Sequence, residues 1–251
     1  MPELSLMFFA VAVPAVIFAG ISKAGFGSGV SFAAASILAL ILDPGQALAL
    51  MLPLLMLIDL ATLRPFWNRW NTRDAYLLIA GGVPGVALGA WLYRFADADL
   101  LRLLIGCISI GFVLWHVAQA AGARRKPVRR LPNWMGVSAG VITGFTSFIS
   151  HAGGPPAAVY LLSRKLGKTE YQATTVLVFW VVNVAKFIPY AYLGMFTYET
   201  AMAGFLLSPF ALLGTWIGVR AHLAVSERLF FGLAYVLLIV TGSKLIWDAL
   251  T

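Results

Sequence analysis

Long apolar runs follow one another along this chain with only short polar links between them, and no segment is polar enough to fold alone in water. They fall at roughly 4–22, 28–42, 46–63, 75–93 and 100–121, and again at roughly 134–149, 154–163, 171–195, 200–219 and 229–248. About 20 apolar residues cross a bilayer as a helix, so the 251 residues allow on the order of ten membrane segments with tight connections. Composition agrees: 61% of residues are apolar and 11% charged, against about 45–50% and about 25% in soluble domains. A water-soluble globule is excluded, and the lipid bilayer is the chain's solvent.

The two series of runs share one layout, and their residues match. Ile21-Ser22-Lys23-Ala24-Gly25 aligns with Ile149-Ser150-His151-Ala152-Gly153, and Pro84, Leu88, Gly89 and Trp91 align with Pro209, Leu213, Gly214 and Trp216. Arg94, Arg102 and Gly106 align with Arg220, Arg228 and Gly232. The chain therefore reads as a duplication: a first transmembrane repeat over 1–122, a basic linker over 123–133 and a second repeat over 134–251.

Loop charge decides how the halves are related. Loop 64–73 holds Arg64, Arg69 and Arg73, whereas its counterpart 196–199 holds only Glu199. Loop 163–170 holds Arg164, Lys165 and Lys168 against Glu170, whereas its counterpart holds only Asp43. Loops 94–102 and 220–228 lean the same way more weakly. Lys and Arg accumulate in cytoplasmic loops, so equivalent loops lie on opposite sides and the repeats are inverted. The net charge of +8 follows from this bias and not from nucleic-acid binding, since the basic residues sit at segment ends. The expected fold is an all-α membrane protein of two inverted-topology repeats. Each is a broken or re-entrant helical hairpin followed by three transmembrane helices. Loops 64–73, 163–170 and 220–228 and the linker then face the cytoplasm, with both termini periplasmic. The first residues show neither a basic region nor a clear cleavage site, so no removable signal peptide is expected.

The hairpin tips carry the chemistry. Ser22-Lys23-Ala24-Gly25-Phe26-Gly27-Ser28-Gly29 and Ser150-His151-Ala152-Gly153-Gly154-Pro155-Pro156 cannot continue as lipid-facing helices. Irregular backbone at membrane depth lines a cavity or is buried in protein, and paired breaks in two inverted halves point to a transporter's central site. Lys23 and His151 occupy equivalent positions, each expected just before a helix start whose free N–H groups favour anions. Ser22, Ser28, Ser147 and Ser150 add hydroxyl donors, and Gly25, Gly27, Gly153 and Gly154 let backbone amides approach a ligand. Together these make a small positive site suited to a compact oxyanion. His151 is also a candidate for proton coupling, since histidine titrates near neutral pH.

A further cluster lies in the run 171–195, where Lys186 sits mid-segment with Asn183 one turn away. Asp59 occupies nearly the equivalent place in the first repeat. One reading makes Lys186 and Asn183 substrate contacts and Asp59 a proton or charge relay; the other makes Asp59 and Lys186 a structural pair. His116 reads as a packed or interfacial histidine. Gly81, Gly85 and Gly89, like Gly214 and Gly218, read as helix contact faces. Three histidines and a lone cysteine, Cys107, offer no metal cluster, no Walker motif is present, and Ser28 lacks the preceding glycine of a rhomboid-like serine. No enzyme activity, metal or cofactor is expected.

With these motifs in view, the chain resembles the TauE/SafE family, the sulfite-exporter-like membrane proteins of bacteria. The resemblance rests on Gly20 to Gly29, on Thr146 to Pro156, on Asn183, Lys186, Pro189 and Tyr190, and on the basic linker. Ser28 departs from the glycine common at that place. The resemblance implies a secondary transporter, an exporter, of small sulfur-containing anions such as sulfite or organosulfonates across the bacterial cytoplasmic (inner) membrane. The partners implied are a small anionic substrate and the lipid bilayer, and a homodimer is left open. The alternatives are an anion channel and a membrane accessory subunit that binds a partner protein.

Overall fold

The computed structural model describes residues 5–26, 30–122, 130–221 and 227–251, and these contain helices and connections with no strand. The helices are α1 (Leu6–Gly25), α2 (Ala33–Leu38), α3 (Pro44–Leu63), α4 (Thr72–Tyr93), α5 (Ala98–Gly122), α6 (Asn133–Ser150), α7 (Gly154–Ser163), α8 (Lys168–Tyr192), α9 (Tyr198–Ala221) and α10 (Glu227–Leu250). Seven of them, α1, α3, α4, α5, α8, α9 and α10, are long and apolar enough to cross a membrane. Large apolar side chains such as Leu88, Ile142, Phe205 and Val240 stay exposed on the outside of the bundle, where only lipid satisfies them.

Local chemistry sets the helix starts and stops. The Asp43 side chain accepts from the Gly45 amide at 2.9 Å, with Pro44 in the first turn. At α4, Asn71 Oδ1 accepts from the Asp74 amide at 3.0 Å. α6 stops because His151 adopts a left-handed conformation, φ 56°, and returns its N–H to the Ser147 carbonyl. Pro155 and Pro156 then fall in the first turn of α7, where a missing N–H breaks no bond.

The second arms of both hairpins are short: α2 has 6 residues and α7 has 10, or about 9 and 15 Å of rise against a hydrocarbon core of about 30 Å. The end of α7 returns to the start of α6. The Leu131 amide donates to Ser163 Oγ at 3.4 Å, and Arg164 Nη1 donates to the Leu131 carbonyl at 3.1 Å. The second hairpin therefore begins and ends on one face.

Packing interleaves the halves. α4 lies along α6 and α1 along α9; α3 meets α9 as α8 meets α4; α3 packs on α8 and α5 on α10. Exchanging the first five helices for the last five maps each of these pairs onto another or onto itself. The closest seams are glycine-lined, with Gly81 and Gly85 against Val137 and Val141 of α6, and Gly214 and Gly218 against Ile17 and Ile21 of α1. These are the contact faces the glycine spacing implied.

One face of the bundle is tied together by a buried polar lock. Arg164 Nε lies 3.0 Å from Asp74 Oδ1 and donates to Oδ2 at 3.1 Å, while Tyr160 donates to Oδ1 at 2.9 Å. Beside it, Asn71 donates from its side chain to Glu170 and from its amide to Thr174 Oγ1, both at 2.9 Å. Loop 64–73, the end of the linker and loop 163–170 thus meet on the same face. Arg164 holds Asp74 through Nε and the Leu131 carbonyl through Nη1, a two-nitrogen grip that a single lysine nitrogen does not offer. Arg164→Lys is expected to lose one of these bonds and about 1–2 kcal/mol, read as a lower unfolding temperature in detergent with unchanged helix content.

Candidate functional site

Lys23 lies in the last turn of α1, where a cation complements the helix dipole. This differs from the expectation that it precedes a helix start, since α2 begins only at Ala33. Its ammonium reaches α3 and donates to Asp59 Oδ2 at 2.7 Å and to the Leu55 carbonyl at 3.4 Å. Asn183 Nδ2, from α8, donates to the same Oδ2 at 2.7 Å. Gln172 Nε2 donates to the Lys23 and Ala24 carbonyls at 3.0 and 3.4 Å, satisfying groups that the end of α1 leaves open.

The second tip is built on His151. Its Nε2 lies 3.1 Å from the Leu48 carbonyl of α3. A carbonyl can only accept, so Nε2 carries the hydrogen and Nδ1 is an acceptor. Lys186 Nζ donates to Nδ1 at 2.7 Å and to both the carbonyl and the hydroxyl of Ser147 at 3.0 Å. Three acceptors thus serve the three ammonium hydrogens. Lys23 and His151, aligned in the sequence, make comparable reaches with different chemistry, Lys23 to Asp59 of α3 and His151 to Lys186 of α8.

Asp59 therefore pairs with Lys23 and Asn183, and the structural Asp59–Lys186 pair is not formed. Lys186 and Asp59 are fully buried, and Lys23 and His151 nearly so. Among the described residues Lys186 has no carboxylate in salt-bridge contact, and Asp59 is the acid that acts on it electrostatically. With both lysines protonated and Asp59 ionised, the buried cluster carries one positive charge. Ser22 Oγ, Asp59 Oδ1 and Thr143 Oγ1 are buried there or in the adjoining helices without a hydrogen-bond partner among the described residues.

The other expected residues divide. A side chain on Gly153 would meet the Thr143 carbonyl at 2.8 Å and Phe179 Cε1 at 2.9 Å, so this glycine lets the second tip press against α6 and α8. Gly154 is buried at the start of α7. Ser150 turns its hydroxyl back to the Thr146 carbonyl at 3.0 Å, and Gly25 packs against Gly218 of α9. Gly27 and Ser28 lie outside the described residues. His116 packs among Phe112, Trp115, Phe231 and Tyr235.

Sequence reasoning missed Gln172, Thr143 and Phe179. Thr143 carried a signal, one turn before Ser147 on the same helix. Phe179 sits between the tips, 5.8 Å from the Lys23 ammonium and against the Gly153 turn, and nothing in its surroundings along the chain marks it. A cavity of about 450 Å³, lined by Gly25, His116, Lys168, Tyr171 and Gln172 among others, reaches the end of α1 from the start of α8.

A helical bundle with apolar flanks, seven candidate spans and a charged cluster sealed at its centre defines the chain as a multi-pass membrane protein. The family model described as sulfite exporter TauE/SafE matches residues 12–245, and the chain belongs to that family, a family of membrane transporters. Comparison with curated proteins and with solved structures gives no match.

Proposed function

We propose that the chain is a secondary carrier of small sulfur-containing anions, such as sulfite or organosulfonates, across the bacterial cytoplasmic membrane, with Lys186 as the principal counter-charge. One observation carries this reading: Lys186 is fully buried within α8 and, among the described residues, has no acid in salt-bridge contact. A lone charge inside a membrane bundle is expensive and marks a substrate or ion path; an oxyanion is the partner it lacks. Lys23, held by Asp59, serves the site from the other repeat, with Asn183, Ser147, His151 and Ser22 as polar neighbours.

Alternating access follows from the inverted repeats, a reading supported by loop charge and by packing that survives exchange of the halves. Two pairs of helices, α1 with α9 and α4 with α6, carry the tips and can rock against the rest. The sealed cluster corresponds to an occluded state, and the cavity beside Gln172 is the access route from the face of loops 64–73 and 163–170. By loop charge that face is cytoplasmic, which suits export.

Thermal unfolding of the detergent-purified protein against sulfite, thiosulfate, sulfoacetate, taurine, sulfate, carboxylates and chloride at matched ionic strength tests the proposal. A ligand at about 100 times its Kd stabilises by about 2.7 kcal/mol. A clear rise is expected with a sulfur oxyanion and none with chloride. No rise with any of the panel overturns the anion-site reading.

A further inference from the structure

Asp59 uses one carboxylate oxygen and leaves the other bare. Lys23 Nζ and Asn183 Nδ2 both donate to Oδ2 at 2.7 Å, whereas Oδ1 is buried with no partner among the described residues. We propose that Asp59 Oδ1 is a proton-binding site that matches the substrate's charge: the carrier takes a monoanion with Oδ1 bare, and a dianion together with one proton on Oδ1. This rests on the reading of the cluster as the anion site.

The argument is one of charge. Lys23 and Lys186 contribute two positive charges, Asp59 one negative, and His151 none in the tautomer its contacts fix. A sealed membrane site is stable only near neutrality. A monoanion brings it there; a dianion overshoots by one, and a proton must come with it. Counted as ammonium groups, the two lysines take no further proton. His151 Nε2 faces a carbonyl, and a proton on Nδ1 would face the Lys186 ammonium at 2.7 Å. The bare lone pair of Asp59 Oδ1 remains, and protonating it leaves both bonds to Oδ2 in place. A sodium ion there would need several oxygens and would sit beside an ammonium that already holds the carboxylate.

The charged groups acting on Asp59 are Lys23 from α1 and Lys186 from α8. The other elements packed on α3 bring none close: α2 has no titratable side chain, α9 carries Glu199 and Arg220 near its ends, and α5 carries Asp99 and Arg102 in its first turns and His116 in its aromatic cluster. Arg64 lies in the turn that follows α3. On loading, a proton from water adds to Oδ1; on release it returns to water as the dianion leaves, and no electrons move. Either substrate class carries one net negative charge per cycle.

Calorimetric titration of the full chain in detergent, in two buffers of different ionisation enthalpy, counts the protons. Methanesulfonate, a monoanion, should bind with no net proton uptake. Sulfoacetate, a dianion, should bind with about one proton, its affinity falling about tenfold per pH unit on the alkaline side. In Asp59→Asn the sulfoacetate proton count should drop to zero and the pH slope flatten. Sulfoacetate binding to the wild-type chain without proton uptake overturns the proposal, and so does an Asp59→Asn protein that still takes up one proton. The wild-type count stands even if the variant does not fold. Wild-type binding of neither anion, or Lys186→Gln binding both as the parent does, overturns the anion-site reading and this inference with it.

Discussion

Exchanging Lys186 for glutamine abolishes anion binding and transport while the purified protein still melts cooperatively. Glutamine keeps a donor for Ser147 and His151, the groups that Lys186 holds at 2.7–3.0 Å, so the tip stays in place. What goes is the single excess charge, and the cluster becomes neutral without substrate. Removing one partner of a buried ion pair costs about 3–5 kcal/mol, which is about two to three and a half decades in Kd. The anion-dependent rise in unfolding temperature should vanish and uptake into proteoliposomes should fall to background. Lys23→Gln should also lose transport, but for a different reason and with a different signature: it strips Asp59 of its ammonium partner and leaves a buried carboxylate held by Asn183 alone. That variant should therefore unfold at lower temperature even before ligand is added.

These contrasts were not all available in the sequence. The expectation of a duplication came from equivalent residues recurring at nearly constant offset, and Lys23, His151, Asn183 and Lys186 stood out because polar side chains are rare in apolar runs. The pairing was not legible. Whether Asp59 meets Lys23 or Lys186 depends on how the third helices of the two repeats pack through the centre, a relation between segments more than a hundred residues apart. The spacing of Gly81 and Gly85 announced a close helix contact, but the partner, α6 of the other repeat, follows only from the interleaving. The Asp74–Arg164 lock was hidden for a similar reason. Both residues lie at segment ends, where charged side chains are ordinary, and only the fold shows that they are buried.

The interleaving itself makes the second large prediction. Gly144→Leu should prevent the chain from assembling, whereas Gly111→Leu should leave it unchanged. On α6, a Cβ at Gly144 would run into the Gly82 carbonyl and lie 2.9 Å from the Val86 nitrogen of α4. These neighbours are backbone, so no rotamer change can make room, and α4 must move away along its length. That shift would pull Asp74 from Arg164 and disturb the α4–α8 contact beside the Lys186 site. The loss should lie at or above the upper end of overpacking, about 3 kcal/mol or more, enough to remove the monodisperse species from size-exclusion profiles. At Gly111 an added Cβ meets nothing within 4 Å, and the position is exposed. Equal behaviour of the two variants would mean that the α4–α6 seam is not where the halves are joined. A loss confined to Gly144→Leu would show that close backbone contact between α4 and α6 holds the charged centre together.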